Sequence, residues 1–387
     1  MAQKTHASLW PGVIALAIAT IYLIALLAAE QQRLILTLLV AGIAAVVVAA
    51  RLGLFESVSG SFADHEDGLG GCAIVAALAV AAFFHDNHFV LLLVNTVLLY
   101  SVATLGLNVQ FGYAGVLNFA GASFFGIGAY TSAVLNAQTT LPHLLVLLIG
   151  GLLAALAGSL LLLPVLRTRG HYAAVVTIAF ALLFKTFLEV NDVLGGPQGM
   201  QVKPIIQFGW NFGRPFRVGD FSASFYFSYL LLALALLAVA FALVRRLERS
   251  WIGLSLDAIR LDEIASACYG LNIARWKVFA FTLGNFLAGC AGAVYGHVLG
   301  FIAPNNFTFA DSLVLVSIVL LGGIGNVWGV TVAAAFVVIL PEKLQIIQEY
   351  RFALYAVLVI LILLFRPEGL LPRPLREYLP GRKATSP

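Results

Sequence analysis

An all-α, polytopic transmembrane helical bundle of about 10–12 spans is the fold class this sequence predicts, and three observations predict it. Of 387 residues, 61% are hydrophobic and only 10% are charged, whereas a soluble domain carries about 25% charged residues. Apolar runs recur at the length of a membrane span along the whole chain. Lys and Arg gather in a few of the segments between those runs. Lipid offers backbone groups no partners, so spanning runs with this periodicity must be helices.

Taken in order, the apolar runs fall at roughly 10–29, 34–50, 72–84, 89–108, 113–135, 142–164, 171–190, 224–244, 278–300, 312–325, 328–345 and 352–365. The first follows Lys4 as a signal peptide would, but its length suits a retained span better than a signal's apolar region. The run at 72–84 is short and is expected to tilt, lengthen or form a half-span. Between Arg51 and Gly71 the chain turns acidic and carries Gly and Ser, which reads as a linker. The expected organisation is a helix pair and acidic linker over 1–71, a core domain over 72–370 and a tail over 371–387.

Charge sets the expected orientation. Arg167 and Arg169 flank one connection; Arg245, Arg246, Arg249, Arg260, Arg275 and Lys277 crowd another; Arg366, Arg373, Arg376, Arg382 and Lys383 fill the tail. If the runs alternate, all three regions fall on one side, and the positive-inside rule makes it cytoplasmic, with both termini there. Lys203, Arg214 and Arg217 run against this pattern, in the long external connection 191–223. The net charge of +4 therefore reads as loop charge facing the cytoplasm, not as a nucleic-acid surface.

Several function classes lack their residues. The chain has no Gly-Lys pair, so it cannot form a P-loop, and it has neither H-E-x-x-H nor G-x-S-x-G. Cys72, Cys268 and Cys290 stand apart, without metal or disulfide spacing. His85, Asp86 and His88 share a short external turn, where wetness explains them better than a metal does. No cofactor, metal or catalytic residue is expected. Lys185 and Glu189, four apart on one helix, read as a mutual pair. Asp311 reads as a helix cap.

The stretch GLNVQFGYAGVLNFAGASFFGIGAY, residues 106–130, is the most informative. Its glycines allow either close helix packing or a broken helix, and irregular backbone at membrane depth survives only where protein buries it or it lines a wet cavity. The added Asn and Ser favour a pathway-lining or gate segment, with Asn108, Gly112, Gly115, Asn118, Gly121, Ser123 and Gly126 as candidates. A second cluster, Gly322, Gly323, Gly325 and Asn326, reads equally as a tight helix–helix turn or a gate. In the charged connection 245–277, Arg260, Asp262, Glu263 and Gly270 outline a short helix and its stop, which suits docking of a soluble partner.

These residues resemble the LivM-like family, the inner-membrane permeases of branched-chain amino acid ABC transporters. The likeness lies in Gly106-Leu107-Asn108 with FGYAG and FFGIGAY, in AIRLDEIASACYGLNIARWKVFAF, in GGIGNVWG and in the external GGPQGM, and it covers about residues 89–370. The resemblance implies an importer permease in a bacterial cytoplasmic membrane. It would pair with a second homologous permease, two cytoplasmic ATPases and a periplasmic substrate-binding protein. It places ATPase coupling at the loop from Arg260 to Gly270. Family substrates extend beyond branched-chain amino acids to urea, short amides and small carboxylates. Asn118-Phe119-Ala120-Gly121-Ala122 stands where many members carry a Ser-Leu-Gly-His-like run, so these alternatives stay open. An ion-coupled secondary carrier is the more distant alternative, and the scarcity of intramembrane acids speaks against it.

Overall fold

A computed structural model describes residues 9–51, 61, 66–166, 172–207, 209–218 and 221–344, with isolated positions between 350 and 373. The helices are α1 (Trp10–Ala28), α2 (Gln32–Arg51), α3 (Glu66–Phe83), α4 (His88–Asn108), α5 (Gly121–Gln138), α6 (His143–Leu166) and α7 (Tyr172–Val190). They continue with α8 (Tyr226–Arg249), α9 (Trp251–Leu261), α10 (Glu263–Cys268), α11 (Ile273–Leu299), α12 (Phe309–Gly322) and α13 (Val327–Lys343). Among the described residues, seven helices are long and apolar enough to cross a membrane, and two shorter apolar helices accompany them. The chain is a multi-pass, all-α membrane protein. The run expected at 352–365 falls mostly outside the described residues.

Two expected boundaries are corrected. The acidic segment read as linker is already helical from Glu66, six residues before the expected start, which gives α3 its 18-residue length. The run at 113–135 is not one helix. A π-turn over Val109–Tyr113 ends α4, residues 114–120 lack helical structure, and α5 begins at Gly121. The chain can break here because Gly115 takes φ +66°, a left-handed conformation that disfavours side-chain-bearing residues.

The chain divides into two compact units. One comprises 1–98, 204–238 and 338–351. In it α1 packs on α3, with Leu69 filling the space beside Gly12. The Lys343 ammonium donates to the carbonyls of Leu27 and Ala29, satisfying acceptors left over at the end of α1. Asn95 donates to the Tyr226 carbonyl at 3.1 Å, and the Tyr229 hydroxyl accepts from the Ile205 amide. The His85 and His88 side chains have separate partners: Asp86 at 3.0 Å and the Ser224 hydroxyl at 2.6 Å. The connection after α7 contributes two small ladders here, β2–β3 (Ile206–Gln207 with Trp210–Asn211) and β4–β5 (Phe216–Val218 with Phe221–Ala223).

The second unit comprises 99–203, 239–337 and 352–387, and holds every candidate site residue. Its centre is α11 packed against α5 and α6. Glycine makes that approach possible: a β-carbon on Gly128 would collide with the Gly289 carbonyl, and one on Gly292 with the Phe125 carbonyl. Without a hydrophobic driving force between helices in lipid, such close backbone packing supplies the cohesion. Burial separates core from periphery: 67% of the apolar window of α11 is buried, against 22% for α7. Lys185 and Glu189 on α7 pair at 3.3 Å. Asp311 completes a capping box with Thr308 that starts α12 at Phe309. The glycine-rich segment after α7 is tied to the end of α11 by β1–β6, pairing Met200–Gln201 with Phe301–Ile302.

Candidate functional site

The break between α4 and α5 is held by a closed triangle of amides. Gln110, on the π-turn, donates from Nε2 to Asn285 Oδ1 at 2.9 Å and to the Phe281 carbonyl at 3.1 Å, both on α11. Asn118 donates to Gln110 Oε1 at 2.7 Å and to Asn285 Oδ1 at 3.2 Å. Its own Oδ1 accepts from the Ala120 amide at 2.9 Å. These three side chains are buried. In a dry interior each would be costly alone; the network occupies the Gln110 and Asn118 amides and Asn285 Oδ1, leaving Asn285 Nδ2 without a partner among the described residues, and fixes the register of the irregular backbone.

The start of α5 is met by hydroxyls from other helices. The Phe119 amide donates to Thr177 Oγ1 on α7, and the Ala122 amide to Ser312 Oγ on α12. These bonds occupy amides that the beginning of a helix leaves without intrahelical partners. Gly121 packs against Leu107 and Leu315, and Gly126 against Phe184 and Phe307. Ser123 is buried, and its hydroxyl has no hydrogen-bond partner among the described residues.

The Gly322–Asn326 cluster is a tight turn between α12 and α13. Gly323 and Gly325 take φ of +107° and +89°. Gly322 lies directly against Gly329, and Asn326 Oδ1 accepts from the Gly329 amide at 3.0 Å. This turn meets the break. The Gly325 amide donates to Asn108 Oδ1 at 2.8 Å, and the Tyr113 hydroxyl donates to the Gly325 carbonyl at 3.2 Å. A β-carbon on Gly112 would lie 2.6 Å from the Gly325 nitrogen.

The charged connection forms α9 and α10. Asp262 caps α10, accepting from the amides of Ile264 and Ala265. Gly270, at φ +83°, stops it: its amide bonds to Ala267 and that of Leu271 to Ser266, a Schellman motif. Glu263 pairs with Lys277 of α11 at 2.6 Å. Large side chains of this connection stand in the open, most of all Leu261 at 86%, Ile264 at 79% and Tyr269 at 89% exposed.

The fold therefore brings together one subset of the candidates: Asn108, Gly112, Gly325 and Arg260, whose Nη1 donates to the Gly112 carbonyl at 2.6 Å. A β-carbon on Gly115 would stand 3.4 Å from the Arg260 side chain. Glu263 pairs with Lys277 instead, and it belongs with Gly270 to the exposed side of the connection.

Sequence reasoning left out several members. Gln110 was visible within the 106–130 stretch, and Asn285 stood out as an amide in the apolar run of α11. Arg373 looked like one more tail charge. It makes a bidentate pair with Asp257 at 2.6 and 2.8 Å, and its guanidinium lies 4.5 Å from the Tyr113 ring centre. Burial acts to lower the Arg373 pKa, but the hydrogen bonds and charge of Asp257, with Glu248 nearby, raise it overall. A second polar cluster joins α5 to α11. Asn136 Nδ2 donates to His297 Nε2 at 2.8 Å, Ser132 Oγ stands 2.7 Å from the same nitrogen, and Nδ1 faces the Lys203 carbonyl.

Residues 89–365 match the family model described as branched-chain amino acid transport system / permease component. The high-affinity branched-chain amino acid transport system permease protein LivM of Escherichia coli is 38% identical over 309 residues, covering 76% of this chain and 73% of the relative. A probable branched-chain amino acid transport permease protein LivM of Methanocaldococcus jannaschii is 26% identical, covering 71% and 90%. The LivH permease protein of the corresponding Salmonella typhimurium system is 23% identical, covering 71% and 92%. No solved structure matches. The buried amide network, the glycine turn that meets it and the capped, exposed α9–α10 connection thus all lie in the matched region, and the chain belongs to the permease-component family of branched-chain amino acid transport systems.

Proposed function

We propose that this chain is one of two related permease subunits of an ATP-driven importer for branched-chain amino acids, with its termini and the α9–α10 connection in the cytoplasm. The substrate follows from the names of its relatives, and the sister subunit from the match to both LivM and LivH proteins. A separate periplasmic binding protein would deliver substrate, and two separate ATPases would hydrolyse ATP, since this chain has no P-loop. On this reading residues 1–71 are an added N-terminal segment, 72–370 the permease core and 371–387 a cytoplasmic tail.

The observation that carries the coupling role is α10. A helix capped at both ends by Asp262 and Gly270 holds Leu261, Ile264 and Tyr269 exposed beside it. Apolar side chains so fully exposed in a charged connection suit burial against a soluble partner. Arg260 connects that connection to Gly112 at the break, where Asn108, Gly112, Gly115, Asn118, Gly121, Ser123 and Gly126 shape the path, and the turn from Gly322 to Asn326 acts as its gate. ATP binding would favour one of two arrangements of the break through the partner's grip on α10, as any effector must act through differential contacts.

The test uses the complete importer in proteoliposomes with leucine, isoleucine or valine as substrate. Replacing Arg260 and Glu263 together by Ala is expected to leave ATP hydrolysis poorly linked to uptake. Normal uptake per ATP in that variant would remove the coupling role. Competition by urea or short amides, but not by leucine, would reassign the substrate.

A further inference from the structure

We infer that Arg373 is a positioning residue that joins the α9 helix to the π-turn and to the glycine turn, so that movement of α9 reaches the membrane interior. The inference rests on the coupling role proposed for the α9–α10 connection.

Residues 369–371 lie along the end of α12. The amides of Leu370 and Leu371 donate to the carbonyls of Leu321 and Gly322 at 2.8 and 3.2 Å, satisfying acceptors that the helix end leaves over. Gly369, at φ +81°, sits directly against Gly323. This segment delivers Arg373 to a point where three elements converge. Its guanidinium makes the bidentate pair with Asp257 of α9 and stacks on Tyr113 of the π-turn; its Nε is 3.9 Å from Glu248 at the end of α8. Its Cδ occupies the space beside Gly325, 2.7 Å from where a β-carbon would stand.

Capping the α12 carbonyls needs only backbone amides, so it gives no reason to bury a guanidinium. Side-chain exposure is only 15% for Arg373 and 15% for Asp257. A buried ion pair is a poor way to add stability, because desolvation cancels much of its attraction and apolar replacements often do as well. What the pair supplies is a rigid, directional joint, since the planar fork of Arg fits a carboxylate in one geometry.

The face of α9 makes the joint double. Asp257 and Arg260 are three apart, which places them together on one side of the helix. Asp257 reaches Tyr113 through Arg373, and Arg260 reaches the Gly112 carbonyl directly. Tyr113 in turn donates to the Gly325 carbonyl. A displacement of α9 therefore carries the π-turn and the glycine turn with it or breaks the Asp257–Arg373 pair and the Arg260–Gly112 hydrogen bond.

The experiment compares the complete importer carrying the unaltered chain, Arg373→Ala, Arg373→Lys or Asp257→Asn in proteoliposomes. Assembly with the ATPases, leucine uptake and ATP hydrolysis are measured on the same preparations. The expected result for assembled Arg373→Ala is a fall of about fivefold or more in leucine moved per ATP, the lower end of ordinary coupling between sites. Arg373→Lys keeps the charge but loses the fork and is expected to recover only part of the ratio. A merely structural role would lower uptake and hydrolysis together with the ratio intact, and that result overturns the inference. So does an unchanged ratio in either Arg373 variant. If Arg373→Ala does not assemble, Arg373→Lys decides by the same ratio. Failure of the unaltered importer to show ATP-driven leucine uptake would instead sink the functional reading.

Discussion

Asn118 shows how one amide holds a membrane helix open. Its Nδ2 is shared by Gln110 and Asn285, and its Oδ1 takes the Ala120 amide. Asn118→Ala would strand the Gln110 carbonyl oxygen and the Ala120 amide in a dry interior, at about 1–3 kcal/mol for each unsatisfied group. A lowered unfolding temperature in detergent is the expected outcome, and an unchanged one would show that the network is dispensable. Gly128→Ala makes the complementary prediction. The new methyl meets the Gly289 carbonyl, and overpacking of this kind costs about 1–3 kcal/mol. At this scale the sequence is half legible. Asn108 and Asn118 stand out as amides among apolar neighbours, but Gln110 and Asn285 are 175 positions apart and meet only in the fold.

The short helix α10 was legible as an element because both of its ends are written locally. Asp262 is an N-cap with amides two and three residues ahead, and Gly270 supplies the left-handed residue that a Schellman ending requires. No atom lies within 4 Å of a β-carbon at Gly270, so Gly270→Ala isolates the backbone term. A left-handed residue with a side chain costs about 1–2 kcal/mol. Faster amide hydrogen exchange at Gly270 and Leu271 is the expected readout, with the rest of the protein unchanged. The break before α5 was less legible. Glycine density from Gly106 onward allowed both close packing and an interrupted helix, and both are present: Gly128 meets Gly289, and the backbone leaves the helix at Ala114. A local pattern cannot separate these, because each glycine's use is set by the helix lying opposite.

For the whole molecule, the orientation proposed from Lys and Arg has a direct test. A reporter that is active only in the cytoplasm, fused after Pro387, is expected to be active, and one active only outside is expected to be silent. The opposite pattern would move the α9–α10 connection away from any cytoplasmic ATPase and end the coupling role. The many spans, the helical class and the capped connection follow from composition and short-range pattern, since the lipid interior forces every apolar run to satisfy its own backbone. The start of α3 was misjudged because acidic residues at a helix start look like loop: Glu66 and Asp67 open that helix, where its dipole favours negative charge. Arg373 shows the limit most clearly. In the chain it is one basic residue among several in a tail, and only the fold sets it between Asp257 and Tyr113. Hydropathy and capping act over a few residues and can be read directly, whereas a buried pair 116 positions apart exists only once packing has chosen its neighbours.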